Sequence, residues 1–81
     1  MLDRIEVKNF IVDFLVKKEG EFIRENIDRC DLIDAGILDS LDIIDLALKL
    51  QERYSIRFDF SLPETFDAMR TVDSMVLLVT S

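Results

Sequence analysis

In the stretch "AGILDSLDIIDLALKLQ", Ala35 to Gln51, a loop-like segment gives way to a long segment with apolar residues at helical spacing. The strongest helix of the chain is predicted from Leu41 to Tyr54, a range without Gly or Pro. Asp39 or Ser40 can cap this helix, because a short polar side chain at that point accepts a backbone N–H. The position of Ser40 raises the question of whether its hydroxyl has a second task.

This helix carries more apolar side chains than one face can hold. One stripe, predicted to face the core, contains Ile43, Leu46, Ala47, Leu50 and Tyr54. A second stripe at the same spacing contains Leu41, Ile44 and Leu48. In an acidic, soluble protein the second stripe has to be covered, either by more of the fold or by a partner.

Helical patterns also precede this stretch. Leu2 to Lys18 predicts a first helix, with Asp3 at its N-terminal end and Gly20 just beyond its C-terminal end. Glu21 to Ile27 predicts a separate helical turn, and Asp28 to Asp39 predicts a long loop. The loop is expected to be pinned by its apolar side chains and to turn at Gly36. These side chains are Leu32, Ile33, Ile37 and Leu38.

The C-terminal part predicts two further helices. Tyr54 to Pro63 alternates like a strand, but a lone strand has nothing to pair with, so an extended connector is predicted. Ser61 to Glu64, "SLPE", has capping-box spacing and predicts a short helix to about Met69. Thr71 is predicted to cap a last helix. Its buried stripe is expected to contain Val72, Met75, Val76 and Val79.

The predicted fold class is all-α. We expect a single domain over residues 1–81: a small four-helix bundle of three longer helices and one short helix, with a long loop between helices 1 and 2. The chain is 49% hydrophobic and 33% charged, which favours a folded globule over disorder. Two Gly, one Pro and no Trp favour helices over a turn-rich β-sandwich.

The charge balance narrows the class of partner. There are 17 acidic and 10 basic residues, a net charge of −7, which disfavours nucleic acid and favours partners with basic patches. Cys30 is the only cysteine, so no intramolecular disulfide can form and a cytoplasmic location is expected. The N-terminus does not resemble a signal peptide, and no apolar run reaches membrane-spanning length. We therefore expect a monomer that does not insert into membranes.

No catalytic constellation is predicted. A nucleophilic serine needs a base, but the chain has no histidine, and no motif pairs Lys18 or Lys49 with Ser40. The loop contains three evenly spaced acids, Asp28, Asp31 and Asp34. They lack the ligand pattern of an EF-hand. The sequence therefore predicts neither an enzyme nor a specific metal site.

The remaining role for Ser40 is that of a substrate for modification. Leu32 to Tyr54, "LIDAGILDSLDIIDLALKLQERY", resembles the modification loop and second helix of an acyl carrier protein, with "DSL" at Asp39 to Leu41 as its core. The connector and Met69 to Met75, "MRTVDSM", resemble later parts of that family. The resemblance therefore extends over most of the chain, and it includes the chain's length and acidity.

The resemblance implies a cofactor at this core. A phosphopantetheinyl transferase would attach 4′-phosphopantetheine from coenzyme A to the Ser40 hydroxyl, with Asp39 and Leu41 on either side. The thiol of that arm would carry a cargo as a thioester. Because the transferase supplies the catalytic base, the missing histidine is no obstacle. The helix N-terminus suits a phosphodiester.

The resemblance also implies roles for both stripes of the helix. The second stripe would be the apolar docking surface for partner enzymes: Leu41, Ile44 and Leu48. Acidic docking contacts to basic partner residues would come from Asp39, Asp42, Asp45 and Glu52. The interior that shelters an acyl chain would be lined by Leu46, Ala47 and Leu50.

From the residues alone, other roles stay open. Ser40 can be a plain N-cap, and Asp39 and Asp42 can be first-turn carboxylates favoured by the helix dipole. The second stripe, and Leu48 in particular, can pack against the long loop.

The cargo also has alternatives. Lys49, Gln51 and Arg53 lie among the acids of the second helix, which favours a specialised carrier over a housekeeping one. The first hypothesis is an acyl carrier for fatty-acid, lipid or polyketide-type biosynthesis. An aminoacyl, D-alanyl or peptidyl carrier is the alternative within the class. An unmodified acidic helical adaptor is the alternative outside it.

Overall fold

The fold is built from helices in the order that the sequence predicts. The computed structural model describes residues 2–27 and 30–80, apart from the side chain of Asn26. The elements are α1 (Arg4–Glu19), a 3₁₀ helix (Glu21–Asn26), α2 (Ser40–Tyr54), α3 (Pro63–Ala68) and α4 (Val72–Thr80). The described ranges contain no strand, which confirms the all-α prediction of three longer helices and one short one.

The limits of α1 follow from its end residues. The Asp3 side chain accepts the N–H of Ile5 at 2.9 Å, so the predicted cap is confirmed. Gly20 ends the helix at φ 115°, with its N–H donating to the carbonyl of Val16 at 2.7 Å. Glycine suits this position because a side chain there is strained at positive φ. An added Cβ would also lie 3.3 Å from ring atoms of Phe22.

The loop before α2 is pinned as predicted in its described part, whereas Asp28 and Arg29 lie outside the described residues. Leu32 and Leu38 are buried, and Ile33 and Ile37 are half-buried against the core. Gly36 adopts φ 75°, which confirms the predicted turn.

Arg70, between α3 and α4, anchors this loop. Its guanidinium donates to the carboxylates of Asp31 at 2.9 Å and Asp34 at 3.1 Å. Its carbonyl accepts the N–H of Leu32 at 2.7 Å. We call these three bonds the Arg70 clamp, and they hold the loop against the C-terminal helices.

The connector after α2 contains no helix or strand from Ile56 to Asp59, and it begins at Ser55 with φ 56°. The N–H of Phe58 donates to the side-chain oxygen of Gln51 at 2.8 Å, which holds the connector against α2. The predicted capping box at Ser61 is wrong: α3 begins at Pro63, and its N-cap, Leu62, makes no side-chain cap bond. Both the N–H and the hydroxyl of Ser61 donate to the carboxylate of Asp59 instead. A local turn has taken the side chain that the sequence pattern assigned to the helix.

The last helix and the core agree with the prediction. Thr71 Oγ1 accepts the N–H of Ser74 at 3.1 Å at the start of α4. Both α1 and α3 pack against α4. The core stripe of α2 is buried, except for a half-buried Tyr54 that meets Phe10 edge-on at 5.8 Å. The buried members of that stripe are Ile43, Leu46, Ala47 and Leu50. Within the described ranges, no helix has the length and apolar character needed to cross a membrane.

The two stripes of α2 should differ sharply in their effect on stability. Leu46→Ala empties a fully buried position and should lower the free energy of unfolding by about 2–5 kcal/mol. Leu48→Ala is the matched control, because Leu48 is 56% exposed, and it should change that free energy by less than about 0.5 kcal/mol. Urea unfolding followed by circular dichroism measures both. Equal losses for the two variants would contradict this assignment of faces.

Candidate functional site

Ser40 is the first residue of α2, and its side chain is exposed. The N-cap is Asp39, whose carboxylate accepts the N–H of Asp42 at 2.9 Å. The Asp42 carboxylate in turn accepts the N–H of Asp39 at 3.1 Å, which completes a capping box. Of the two candidate caps, Asp39 holds the position, and the hydroxyl of Ser40 lies outside the cap.

Lys18 joins this site from the last turn of α1. Its Nζ lies 3.1 Å from Oδ2 of Asp42. The backbone N–H of Asp39 and then the Lys18 ammonium lower the pKa of the Asp42 carboxyl. The hydrogen bond to Asp42 raises the pKa of Lys18. Both groups are therefore charged at neutral pH.

A cleft of about 590 Å³ opens beside Ser40. One part of its wall is polar and comes from the α2 start and α1, including Asp42 and Lys18. Another part is apolar and contains Ile33 from the loop and Phe66 from α3. Arg70 also lines this cleft. The exposed hydroxyl therefore borders a concave surface that combines cationic and apolar side chains.

The second stripe of α2 starts next to Ser40 and is exposed. The exposed fractions are 76% for Leu41, 48% for Ile44 and 56% for Leu48. The alternative that Leu48 packs against the loop is therefore wrong. The helix presents an apolar stripe that the described fold does not cover.

Some charged side chains along α2 form ion pairs within the protein, and others are exposed. Asp45 binds Lys49 at 3.2 Å, and Arg53 binds Glu6 of α1 at 3.3 Å. Glu52 is exposed. The two basic residues that interrupt the acidic helix are therefore both paired with carboxylates.

The predicted interior residues of α2 lie apart from the cleft. Leu46, Ala47 and Leu50 are buried in the core, where their exposed fractions do not exceed 2%. Their role toward a cargo stays a prediction, while the open space beside Ser40 is bordered by other side chains.

Two of the loop acids, Asp31 and Asp34, bind a cation of the protein itself, the guanidinium of Arg70. Asp31 and Asp34 belong to the Arg70 clamp, and the pKa of Asp31 is lowered first by the N–H of Asp34 and then by Arg70. Asp28 lies outside the described residues. In the parts of the chain that the structure describes, no group of three His, Cys, Asp or Glu side chains is arranged to hold a metal ion.

Sequence reasoning gave no site role to several residues that line the cleft, among them Lys18, Phe66 and Arg70. It placed Lys18 only at the end of the first helix. The ion pair from Lys18 to Asp42 spans two helices and has no local sequence signal.

Fold and site together define a small all-α protein with an exposed serine at the start of an acidic, partly apolar helix. The chain is 34% identical over 76 residues to an acyl carrier protein of Coprothermobacter proteolyticus. That match covers 94% of this chain and 84% of the relative. The chain belongs to the acyl carrier protein family.

Further relatives carry a more specific name. The chain is 35% identical over 52 residues to the D-alanyl carrier protein of two strains of Lactobacillus delbrueckii subsp. bulgaricus. The match spans 64% of this chain and 64% of the length of those relatives. No protein-family model matches the chain. No solved structure matches it either.

The cap should make stability depend on pH through Asp42. Its pKa is lowered from 3.8 in the folded state, so its contribution is present above pH 3.8 and lost as the pH falls further. Asp42→Asn should cost about 1 kcal/mol at pH 7 and progressively less below pH 3.8. Urea unfolding between pH 7 and pH 3 measures this.

The matched control is Asp45→Asn, which removes the same charge from an exposed pair on the same helix. It should cost less than about 0.5 kcal/mol. If Asp42→Asn and the unchanged sequence unfold at the same urea concentration at pH 7, Asp42 does not stabilise the start of α2.

Proposed function

We propose that this protein carries cargo on a 4′-phosphopantetheine group attached to Ser40. The observation that carries the proposal is the exposed serine at the start of α2, beside a cleft, in a member of the acyl carrier protein family. When bound, the group supplies a thiol that holds a cargo as a thioester. The protein provides an attachment point and a docking surface, and its partners provide the catalysis.

The residues around Ser40 fit such a group. Lys18 and Arg70 offer positive charge for its phosphodiester, and Ile33 and Phe66 offer apolar contact for its carbon chain. The N–H groups at the start of α2 favour a negative charge on Ser40, the first residue of this helix. Because Asp39 performs the capping, derivatising the Ser40 hydroxyl leaves the helix cap intact.

Attachment requires a partner enzyme. Ser40 Oγ forms a bond to the phosphorus of the phosphopantetheine half of coenzyme A, while the P–O bond of the diphosphate breaks and adenosine 3′,5′-bisphosphate leaves. The serine proton goes to a base of the phosphopantetheinyl transferase, since this chain has no histidine.

Partner enzymes dock on the exposed stripe of α2. Leu41, Ile44 and Leu48 supply an apolar contact surface next to Ser40. The surrounding acids meet basic residues of the partner and steer its approach. These acids are Asp39, Asp42, Asp45 and Glu52, of which Asp42 and Asp45 also pair with Lys18 and Lys49 of this chain.

The cargo is an acyl group for fatty-acid, lipid or polyketide-type biosynthesis in the cytoplasm. An aminoacyl cargo is the second candidate, favoured by the relatives named D-alanyl carrier protein. Trapping the loaded thioester from cells and measuring the mass of the released cargo distinguishes them. A free amine on that cargo decides for the second candidate.

Modification should be specific to Ser40. Incubation of the purified protein with coenzyme A and a broad-specificity phosphopantetheinyl transferase should add the mass of one phosphopantetheine. Ser40→Ala should gain no mass. Ser61→Ala, which changes another exposed serine, should gain the full mass. Intact-protein mass spectrometry measures all three.

The same experiment separates the two function classes. If the unmodified sequence gains no mass while a control carrier does, the carrier proposal fails and the acidic adaptor remains. A gain of mass that persists in Ser40→Ala would place the attachment elsewhere.

The docking stripe should affect modification without affecting stability. Leu41→Ala removes a 76% exposed side chain, so the melting temperature should stay nearly constant. The kcat/KM of the transferase should fall about tenfold, which corresponds to about 1.4 kcal/mol of binding free energy. Leu77→Ala on α4, at 53% exposure, is the control and should leave kcat/KM unchanged. An equal effect of both variants would argue against docking on this stripe.

A further inference from the structure

The start of α2 favours a negative charge, but two carboxylates beside Ser40 repel the phosphodiester proposed for it. Ser40 lies between the carboxylates of Asp39 and Asp42, which bind each other's backbone N–H groups. A phosphodiester on Ser40 adds a further negative charge beside these two, in a chain whose net charge is already −7. Like charges a few ångströms apart repel each other measurably even near water. A countercharge at this point would relieve that repulsion.

Two cations line the cleft beside Ser40, and they differ in how firmly they are held. Arg70 is bound by two carboxylates and belongs to the clamp that fixes the loop. Lys18 has a single ion-pair partner among the described residues, the carboxylate of Asp42. That carboxylate also accepts the N–H of Asp39, so it keeps a partner if the ammonium moves.

An ammonium group can serve two anions at once. It has three N–H donors and sits on a flexible stem of four carbons. Lys18 is about one-third exposed, with its side-chain accessibility at 34%. It therefore has donors and room for a second anion without breaking its contact to Asp42.

We propose that Lys18 is the countercharge for the phosphodiester on Ser40, bridging it to Asp42 and seating the first part of the arm in the cleft. This inference rests on the proposed attachment at Ser40. It assigns Lys18 a positioning role after attachment, distinct from the catalysis that the transferase performs. The apolar wall beyond it, with Ile33, Ile37 and Phe66, takes the carbon chain that follows the phosphate.

The neighbouring residue provides a matched control. Lys17 is exposed in the same last turn of α1 and carries the same charge. It lines a different cleft, together with Phe10 and Phe14. Lys17→Gln and Lys18→Gln therefore change the net charge equally but differ at Ser40.

The test compares unmodified and modified forms of each protein. The melting temperature is measured before and after attachment for the unchanged sequence, Lys17→Gln, Lys18→Gln and Lys18→Arg. The change in melting temperature on attachment should be about 2–5 °C more negative in Lys18→Gln than in the unchanged sequence. Lys17→Gln should behave like the unchanged sequence, and Lys18→Arg should restore most of the difference. Raising the salt concentration should shrink the effect, because the pair is partly exposed.

A second measurement needs no variant. In two-dimensional NMR of the unchanged protein, the Hε–Cε signal of Lys18 should shift on attachment, and that of Lys17 should stay in place. The inference is overturned if attachment changes the melting temperature of Lys18→Gln and Lys17→Gln by the same amount. It is also overturned if the Lys18 signal does not move. These outcomes presuppose the gain of mass, so they are distinct from a failure of attachment itself.

Discussion

The reciprocal bonds between Asp39 and Asp42 hold the first turn of α2, the helix that carries both the core stripe and the exposed stripe. They fix Ser40 as the first residue of α2. Each carboxylate satisfies a backbone N–H group that would otherwise lack a partner at this end of the helix. The same Asp42 carboxylate binds Lys18. The Asp42 side chain thus helps to cap α2 and ties its start to the end of α1.

The acidity of the protein is distributed unevenly. Several cations lie in pairs within the fold: Lys49 with Asp45, Arg53 with Glu6, and Arg70 with the loop acids. Each exposed pair contributes little to stability on its own. Together, the pairs neutralise the cations of α2 and leave other carboxylates exposed along the same helix. The basic residues of α2 are neutralised by carboxylates of this chain, while Glu52 and Asp39 stay exposed to a partner.

Local patterns in the sequence were sufficient for the helices and for the two faces of α2. The periodicity of Leu46 and Leu48 placed one inside and one outside, and Gly20 marked the end of α1. The same local logic failed at Ser61, because the pattern cannot tell a helix cap from a turn that uses the same side chain. The cleft could not be predicted from the sequence for a different reason. It is formed by contacts between distant parts of the chain, and such contacts leave no periodic signal. The roles of the site residues toward cofactor and partners stay predictions.

The Arg70 clamp has a mechanical consequence. Through its three bonds the loop before α2 is fastened to the junction of α3 and α4, so these parts form one block. On the other side of the cleft, Lys18 fastens the end of α1 to the start of α2. The cleft beside Ser40 is therefore bordered on both sides by segments that are fastened to other helices, so its wall is not a loose loop.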